Sequence, residues 1–401
     1  MRHCSKQAIA LAALAVAVSL FVQSASAEDT ATPRTADRFG IIYIMGYAGD
    51  SFPQAADEFE ALIKSVKTAH YNVVLCKYTP ERAKICAQYE VQIMVDLLTP
   101  DHHVYKNVDG VKALCESLRE SGDVYAYHLW SDRIGGTAAG RSRDAKNVRG
   151  WDPKHPVYVG SYNGRALADV TGADLIGFYD FHWKRGGLWR HLQRTSDAAK
   201  KHNAGFLRYT QGDAGLIGKG NYNRVMYTIS VSLVHGLKGY MYHHTGGEID
   251  KKSWQWTEHG RDLAKVNAEV APLGPELMKL GNPLAVYSTT QTTSAKDRPI
   301  ESDGPYIQPE LKAAPDDFWA QVTAGEALYG HFQDEEKRDH LLLANHNAYQ
   351  PQAMQLKFAA PPKSLEQFDR QAGQWEAIEL KDGIGAFELP PAAAELIRVS
   401  R

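Results

Sequence analysis

The 401-residue sequence predicts an α/β protein, a (β/α)8 TIM barrel followed by a C-terminal antiparallel β-sandwich domain. Three observations predict it. Between Phe39 and Gly246 one pattern recurs eight times: a short apolar run, a polar or aromatic cluster, then a helix-like or irregular stretch. Each run is too short for a helix and too apolar for an exposed loop. After Gly281-Asn282-Pro283 the texture changes to short alternating runs bounded by Pro, Gly, Asp or Asn, which read as antiparallel strands. The chain is also longer than one hydrophobic core usually covers, while a barrel alone takes about 250 residues.

Taken in order, residues 1–27 read as a signal peptide. Arg2, His3 and Lys6 give a positive start, residues 8–22 are uncharged and apolar, and Ala25-Ser26-Ala27 fits a small-x-small cleavage site. The mature chain then begins near Glu28, in the periplasm or secreted. The competing reading, an uncleaved anchor, needs roughly 20 apolar residues, more than this stretch supplies. Cys4 precedes the apolar stretch, which excludes a lipoprotein. The barrel is assigned to residues 35–281, with strands expected at 40–45, 72–76, 92–97, 124–129, 156–160, 174–178, 205–207 and 237–241. A helical stretch over 254–280 closes it, with Leu263, Val266, Val270 and Leu273 at helical spacing and a kink at Gly274-Pro275. The sandwich is assigned to 282–401, with runs at 284–287, 319–322, 327–332, 340–344, 354–358, 374–380, 386–389 and 395–399. Residues 292–315, polar and rich in Pro and Gly, read as a long loop.

Composition excludes several functions. With 45 basic against 47 acidic side chains, nothing suggests nucleic acid or an anionic membrane as a partner. No second segment is long and apolar enough to span a bilayer, so no membrane contact is expected after signal cleavage. Three cysteines follow the leader, Cys76, Cys86 and Cys115, and read as small core residues; only Cys76, beside Lys77, has a cationic neighbour that suits a reactive thiol. His102-His103 and His243-His244 would point to opposite faces of an extended strand, and no His-Glu-x-x-His or Cys-x-x-Cys spacing occurs, so no metal is assigned. Ser161 directly follows Gly160 and does not form a nucleophile elbow, and the glycine pairs lack a nucleotide fingerprint; no cofactor is assigned. The sequence gives no oligomeric state.

The residues just past each barrel strand carry the chemistry, because barrel enzymes build their sites at the carboxyl ends of the strands. Those ends hold groups that bind sugars or move protons. At the close of the fourth run, Tyr127-His128-Leu129-Trp130-Ser131-Asp132-Arg133 places His128 and Trp130 on one face and Tyr127 and Leu129 on the other, with Asp132 just past the strand. The competing reading has Asp132 paired with Arg133 or a nearby arginine, or capping a following turn. After the sixth run, Asp180 and His182 share a face, and Trp183 offers a flat surface for a pyranose ring. Here the competing reading is an ion pair from Asp180 to Lys184 or Arg185. The seventh end supplies Tyr209, Gln211 and Asp213, and the eighth His243, His244 and then Glu248. Tyr47, Lys77 and Arg133 complete the rim; Lys77 and Arg133 suit an acidic or sulfated sugar. Glycoside hydrolysis needs two carboxyl groups of unlike protonation across the scissile bond. Asp132, Asp180, Asp213 and Glu248 are the candidates.

The order Tyr127-His128-Leu129-Trp130-Ser131-Asp132, then Trp151-Asp152-Pro153-Lys154-His155-Pro156-Val157-Tyr158, then Ala173-Asp174-Leu175-Ile176-Gly177-Phe178-Tyr179-Asp180 resembles bacterial glycoside-hydrolase-type barrels. Arg224 to Tyr227, His235 to Tyr240 and the terminal β-region extend the resemblance over nearly all of the mature chain. It departs from retaining β-glycosidase barrels, which carry glutamates after strands four and seven, where this chain has Asp132 and Thr210-Gln211-Gly212. A second clan, similar to α-galactosidases, uses aspartates after strands four and six. The resemblance therefore implies Asp132 and Asp180 as the catalytic pair, with a carbohydrate as partner. Three functions stay open: a glycoside hydrolase, a carbohydrate-binding barrel without catalysis, and a polysaccharide lyase or esterase using His and Tyr.

Overall fold

A computed structural model describes residues 36–45, 52–99, 101–130, 137–161, 164–179, 187–212, 222–243, 247–290 and 311–401. The leader and most of the long loop at 292–315 lie outside the described residues. Eight parallel strands close into a barrel in chain order: β1 (Gly40–Ile44), β2 (Val73–Cys76), β3 (Gln92–Asp96), β4 (Val124–Trp130), β5 (Val157–Ser161), β6 (Leu175–Tyr179), β7 (Gly205–Gln211) and β8 (Leu237–His243). The helices between them are α1 (Ala56–Thr68), α2 (Pro80–Gln88), α3 (Val108–Leu118), α4 (Ala138–Trp151), α5 (Gly187–His202) and α6 (Tyr222–Val234). Between β5 and β6 the described chain holds a 3-10 turn, Arg165–Asp169, in place of an α-helix.

The strands are buried on both faces, which is why their sequences read as continuous apolar runs. Alternation sorts the side chains into two layers. Ile42, Ile44, Leu75, Met94 and Leu207 fill the barrel interior. Tyr43, Val74, Val95, Phe178 and Phe206 pack outward against the helices. The interior also takes the large rings of Tyr158, Tyr179 and Tyr209, and glycines make that possible. A Cβ on Gly177 would stand 2.3 Å from the Leu207 carbonyl oxygen and 2.7 Å from the Tyr158 hydroxyl. One on Gly160 would stand 2.9 Å from the hydroxyls of both Tyr158 and Tyr179.

The helix expected over 254–280 is broken into pieces. Trp254 adopts a left-handed φ of 54°, and a short hairpin, β9 (Ile249–Asp250) with β10 (Gln255–Trp256), precedes the helix. Thr257 then caps α7 (Glu258–Val270) by accepting the Gly260 N–H. Pro272 forces a 3-10 turn, Ala271–Leu273, before α8 (Gly274–Lys279), so the break comes before Gly274-Pro275.

Beyond the barrel lie two antiparallel sheets. The larger runs β11 (Ala285–Ser288), β13 (Ala327–Gln333), β14 (Asp339–Asn345), β20 (Ala394–Ser400), β16 (Ser364–Asp369) and β17 (Gln374–Ala377). The smaller runs β12 (Ala320–Ala324), β15 (Gln352–Phe358), β19 (Ile384–Leu389) and β18 (Leu380–Lys381). Their facing sides share a core of Leu341, Leu343, Met354, Leu356 and Ile397. The opposite side of the larger sheet, with Leu342, Ala344 and Leu396, merges with the outer layer of the barrel. Strand β14 is buried at every residue as a result. Gly330 of β13 permits the contact, since a Cβ there would meet the Val234 carbonyl at the end of α6 at 2.6 Å.

Candidate active site

The described residues at the carboxyl ends of the strands form a buried polar floor. Asp96 ends β3 on the same interior face as Met94, and His128 is its register partner on β4. The His128 Nδ1 lies 3.1 Å from Asp96 Oδ1, and the same oxygen accepts the Leu98 N–H at 3.1 Å. Both side chains are almost fully buried, at 5% and 2% exposure. The imidazole stacks on the Tyr158 ring at 5.6 Å and 17°. Beside this layer the Tyr179 and Tyr209 rings lie 4.6 Å apart, tilted by 40°. Tyr127 and Leu129 point outward, as alternation requires when His128 points in.

Arg141, in the first turn of α4, is buried, and its charge interacts with Tyr105 and Tyr179. Burial lowers its pKa, with the two phenols acting in the opposite sense. A cation is thereby held near Tyr179, one member of the tyrosine pair. Around β2 and β3, Lys77 forms an ion pair with Asp101, whose carboxyl is held below its ordinary range by the hydrogen bond from Lys77 and then by that charge. His102 and His103 both sit below the usual histidine pKa because burial disfavours the imidazolium and a neighbouring lysine repels it, Lys77 for the first and Lys106 for the second. Neutral imidazoles there are hydrogen-bonding groups for hydroxyls.

The sequence-derived site residues divide into three groups. Among those with described side chains, His128 and Tyr209 face the barrel interior and Lys77 stands at the β2 end, paired to Asp101. Glu248 is placed differently from its expected position on the rim. It is buried with the outward-facing Tyr43 and with Tyr71 and Tyr242, whose pKa values are raised by burial and further by the Glu248 charge. Glu248 immediately precedes the β9–β10 hairpin, and its backbone carbonyl accepts the Thr257 N–H at 2.7 Å. The third group lies outside the described residues: Tyr47, Asp132, Arg133, Asp180, His182, Trp183, Asp213 and His244, together with the side chains of Trp130, Gln211 and His243, whose backbones close β4, β7 and β8.

The structure also adds Asp96 and Arg141, which strand-end spacing alone does not pick out. Alternation within the third run puts Gln92, Met94 and Asp96 on one face, so a carboxylate at the last interior position was the available signal for Asp96. Arg141 sits on a helix, where no strand-end rule finds it. The thiol of Cys76 is buried on the outward face, and burial pushes its pKa up to about 12, so it stays protonated and does not act as a nucleophile. Among the described residues no three His, Cys, Asp or Glu side chains converge as metal ligands.

This architecture, a closed eight-stranded parallel barrel with C-terminal antiparallel sheets, is the fold of glycoside-hydrolase-type barrels. A glycoside hydrolase of family 5 from Bacteroides vulgatus superposes with a TM-score of 0.56, at 13% identity, over 90% of this chain and 89% of that one. An alpha-amylase from Geobacillus thermoleovorans, complexed with acarbose, gives 0.52 at 13% identity over 90% and 98%. An Anoxybacillus alpha-amylase gives 0.52 at 11% identity over the same shares. Identities this low establish a shared fold. No protein-family model and no curated protein matches the chain.

Proposed function

We propose that the protein is a secreted glycoside hydrolase that cleaves a polysaccharide or its oligosaccharides with Asp132 and Asp180 as the two carboxyl groups. The observation that carries this reading is topological. Strands β4 and β6 run parallel in one closed barrel and end at Trp130 and Tyr179, and the chain next supplies Asp132 and Asp180. Parallel strands deliver the residues past their carboxyl ends to the same end of the barrel. At that end the floor already holds an aspartate, a histidine and a tyrosine pair, a set suited to hydroxyl groups and ring faces. The likeness to glycoside hydrolases supports the reaction class, and the leader sequence supports export.

In this mechanism one aspartate stays protonated and gives its proton to the leaving oxygen, while the other is ionised and attacks the anomeric carbon or activates water. A carboxyl separation of about 5 Å corresponds to retention and about 6.5–9.5 Å to inversion. His128, Trp130, His182, Trp183, Tyr209, Gln211 and His243 are assigned to hydroxyl binding and ring stacking, with Lys77 and Arg133 available to an acidic sugar. The test is a panel of neutral, uronic and sulfated polysaccharides incubated with the purified protein from Glu28 onward. New reducing ends from at least one of them are expected. Binding without release of reducing ends would instead identify a carbohydrate-binding barrel, and an unsaturated product absorbing in the ultraviolet would identify a lyase.

A further inference from the structure

We propose that Asp96 is a positioning residue that fixes one tautomer of His128, so that the His128 Nε2 offers a lone pair to a hydroxyl group of the sugar. The proposal rests on the carbohydrate reading of the barrel mouth and goes beyond it by assigning a residue and a protonation pattern. Three observations carry it. First, Asp96 Oδ1 accepts the Leu98 backbone N–H, which pins the carboxylate in place, and the same oxygen faces His128 Nδ1 at 3.1 Å. A carboxylate oxygen that faces Nδ1 and accepts its proton in a hydrogen bond selects the Nδ1–H tautomer, and in that neutral tautomer Nε2 is the acceptor. Second, Nε2 is buried and has no hydrogen-bond partner among the described residues. Burying such an atom unpaired costs about 1–3 kcal/mol, a cost that a ligand hydroxyl donating to it would remove. Third, the ring is held rigidly: Tyr158 stacks on its face, and the pairing of β4 with β5 slips in register between His128 and Trp130. Such irregularities re-aim side chains at strand ends.

The arrangement predicts selectivity for a hydroxyl donor at one sugar position. A deoxy or O-methylated unit there leaves Nε2 unpaired and binds more weakly.

The test is long-range 1H–15N NMR on the full mature protein carrying 15N-histidine, with His128 assigned by its loss in His128→Gln. The expected result in the unmodified protein is a protonated Nδ1 and an unprotonated Nε2, with the Nε2 signal moving when methyl glycosides or oligosaccharides from the polysaccharide panel are added. Asp96→Ala should shift His128 toward the Nε2–H form and weaken sugar binding by about tenfold or more. Asp96→Asn, which keeps an oxygen acceptor, should retain much of both. A protonated Nε2 in the unmodified protein, an Nε2 signal unmoved by every sugar, or an unchanged tautomer in Asp96→Ala would overturn the proposal. Nε2 movement without any hydrolysis would sink the hydrolase reading alone. Hydrolysis with an unmoved Nε2 would sink this one alone.

Discussion

Asp152 shows how a single buried carboxylate organises the turn before a barrel strand. Its Oδ2 accepts from the Tyr127 hydroxyl and faces His155 Nδ1, both at 2.7 Å, and its Oδ1 accepts the backbone N–H groups of Lys154 at 2.8 Å and His155 at 3.2 Å. Burial alone would raise its pKa, yet the hydrogen bonds of His155, Tyr127 and Lys154 outweigh it and bring the value from 3.8 down to about 2. A depressed folded-state pKa contributes stability that is present above the unfolded value and lost as pH falls through the folded one. That difference corresponds to about 2 kcal/mol, lost between about pH 4 and pH 2. Asp152→Ala should therefore lower unfolding stability by about 2–3 kcal/mol at neutral pH, and the gap should narrow as pH falls through that window in urea titrations. A gap independent of pH would contradict the account. The Asp-Pro-x-His-Pro segment was legible in the sequence as part of a resemblance, and its aspartate and histidine prove to brace β4 against the entry to β5. Asp96 was hidden for the opposite reason: it stands inside a run that reads as apolar, and only its pairing with a residue on the next strand reveals its use.

At the scale of elements, the barrel strands were legible because burial on both faces leaves an unbroken apolar signature, and each observed strand overlaps its expected run. Pattern and structure part where local spacing and tertiary packing disagree. Strand β16 is absent from the expected runs because its apolar residues, Leu365 and Phe368, are three apart, a helix-like spacing. They face opposite sides of the sheet, Leu365 into the sandwich core and Phe368 onto the barrel. The helix expected from residue 254 begins later, because the β9–β10 hairpin and the Thr257 cap take the first turn. Strand β6 offers a direct check on the interior packing. Gly177→Ala would place a methyl group against the Leu207 carbonyl and the Tyr158 hydroxyl, and overpacking of this kind costs about 1–3 kcal/mol. A matching fall in the urea midpoint is expected; unchanged stability would mean that the tyrosines do not crowd that glycine.

At the scale of the molecule, Arg34–Arg401 form one compact unit, in which the larger antiparallel sheet closes one core with its partner and shares another with the barrel helices. The sandwich thereby braces the outside of the barrel along α6. Barrel and sandwich were both legible in the sequence; their common core was not, because a strand buried on both faces, such as β14, has the same composition whichever layer covers it. Strand-end spacing nominates rim residues, most of which lie outside the described residues, while the floor depends on which side chains meet across neighbouring strands. The central claim is that aspartates delivered by β4 and β6 act together on one glycosidic bond. The most direct measurement is kcat for Asp132→Asn and Asp180→Asn on whichever polysaccharide the panel identifies, with circular dichroism confirming an intact fold. The account predicts a fall of about 10²–10⁴ or more in each variant; near-normal turnover in both would contradict it.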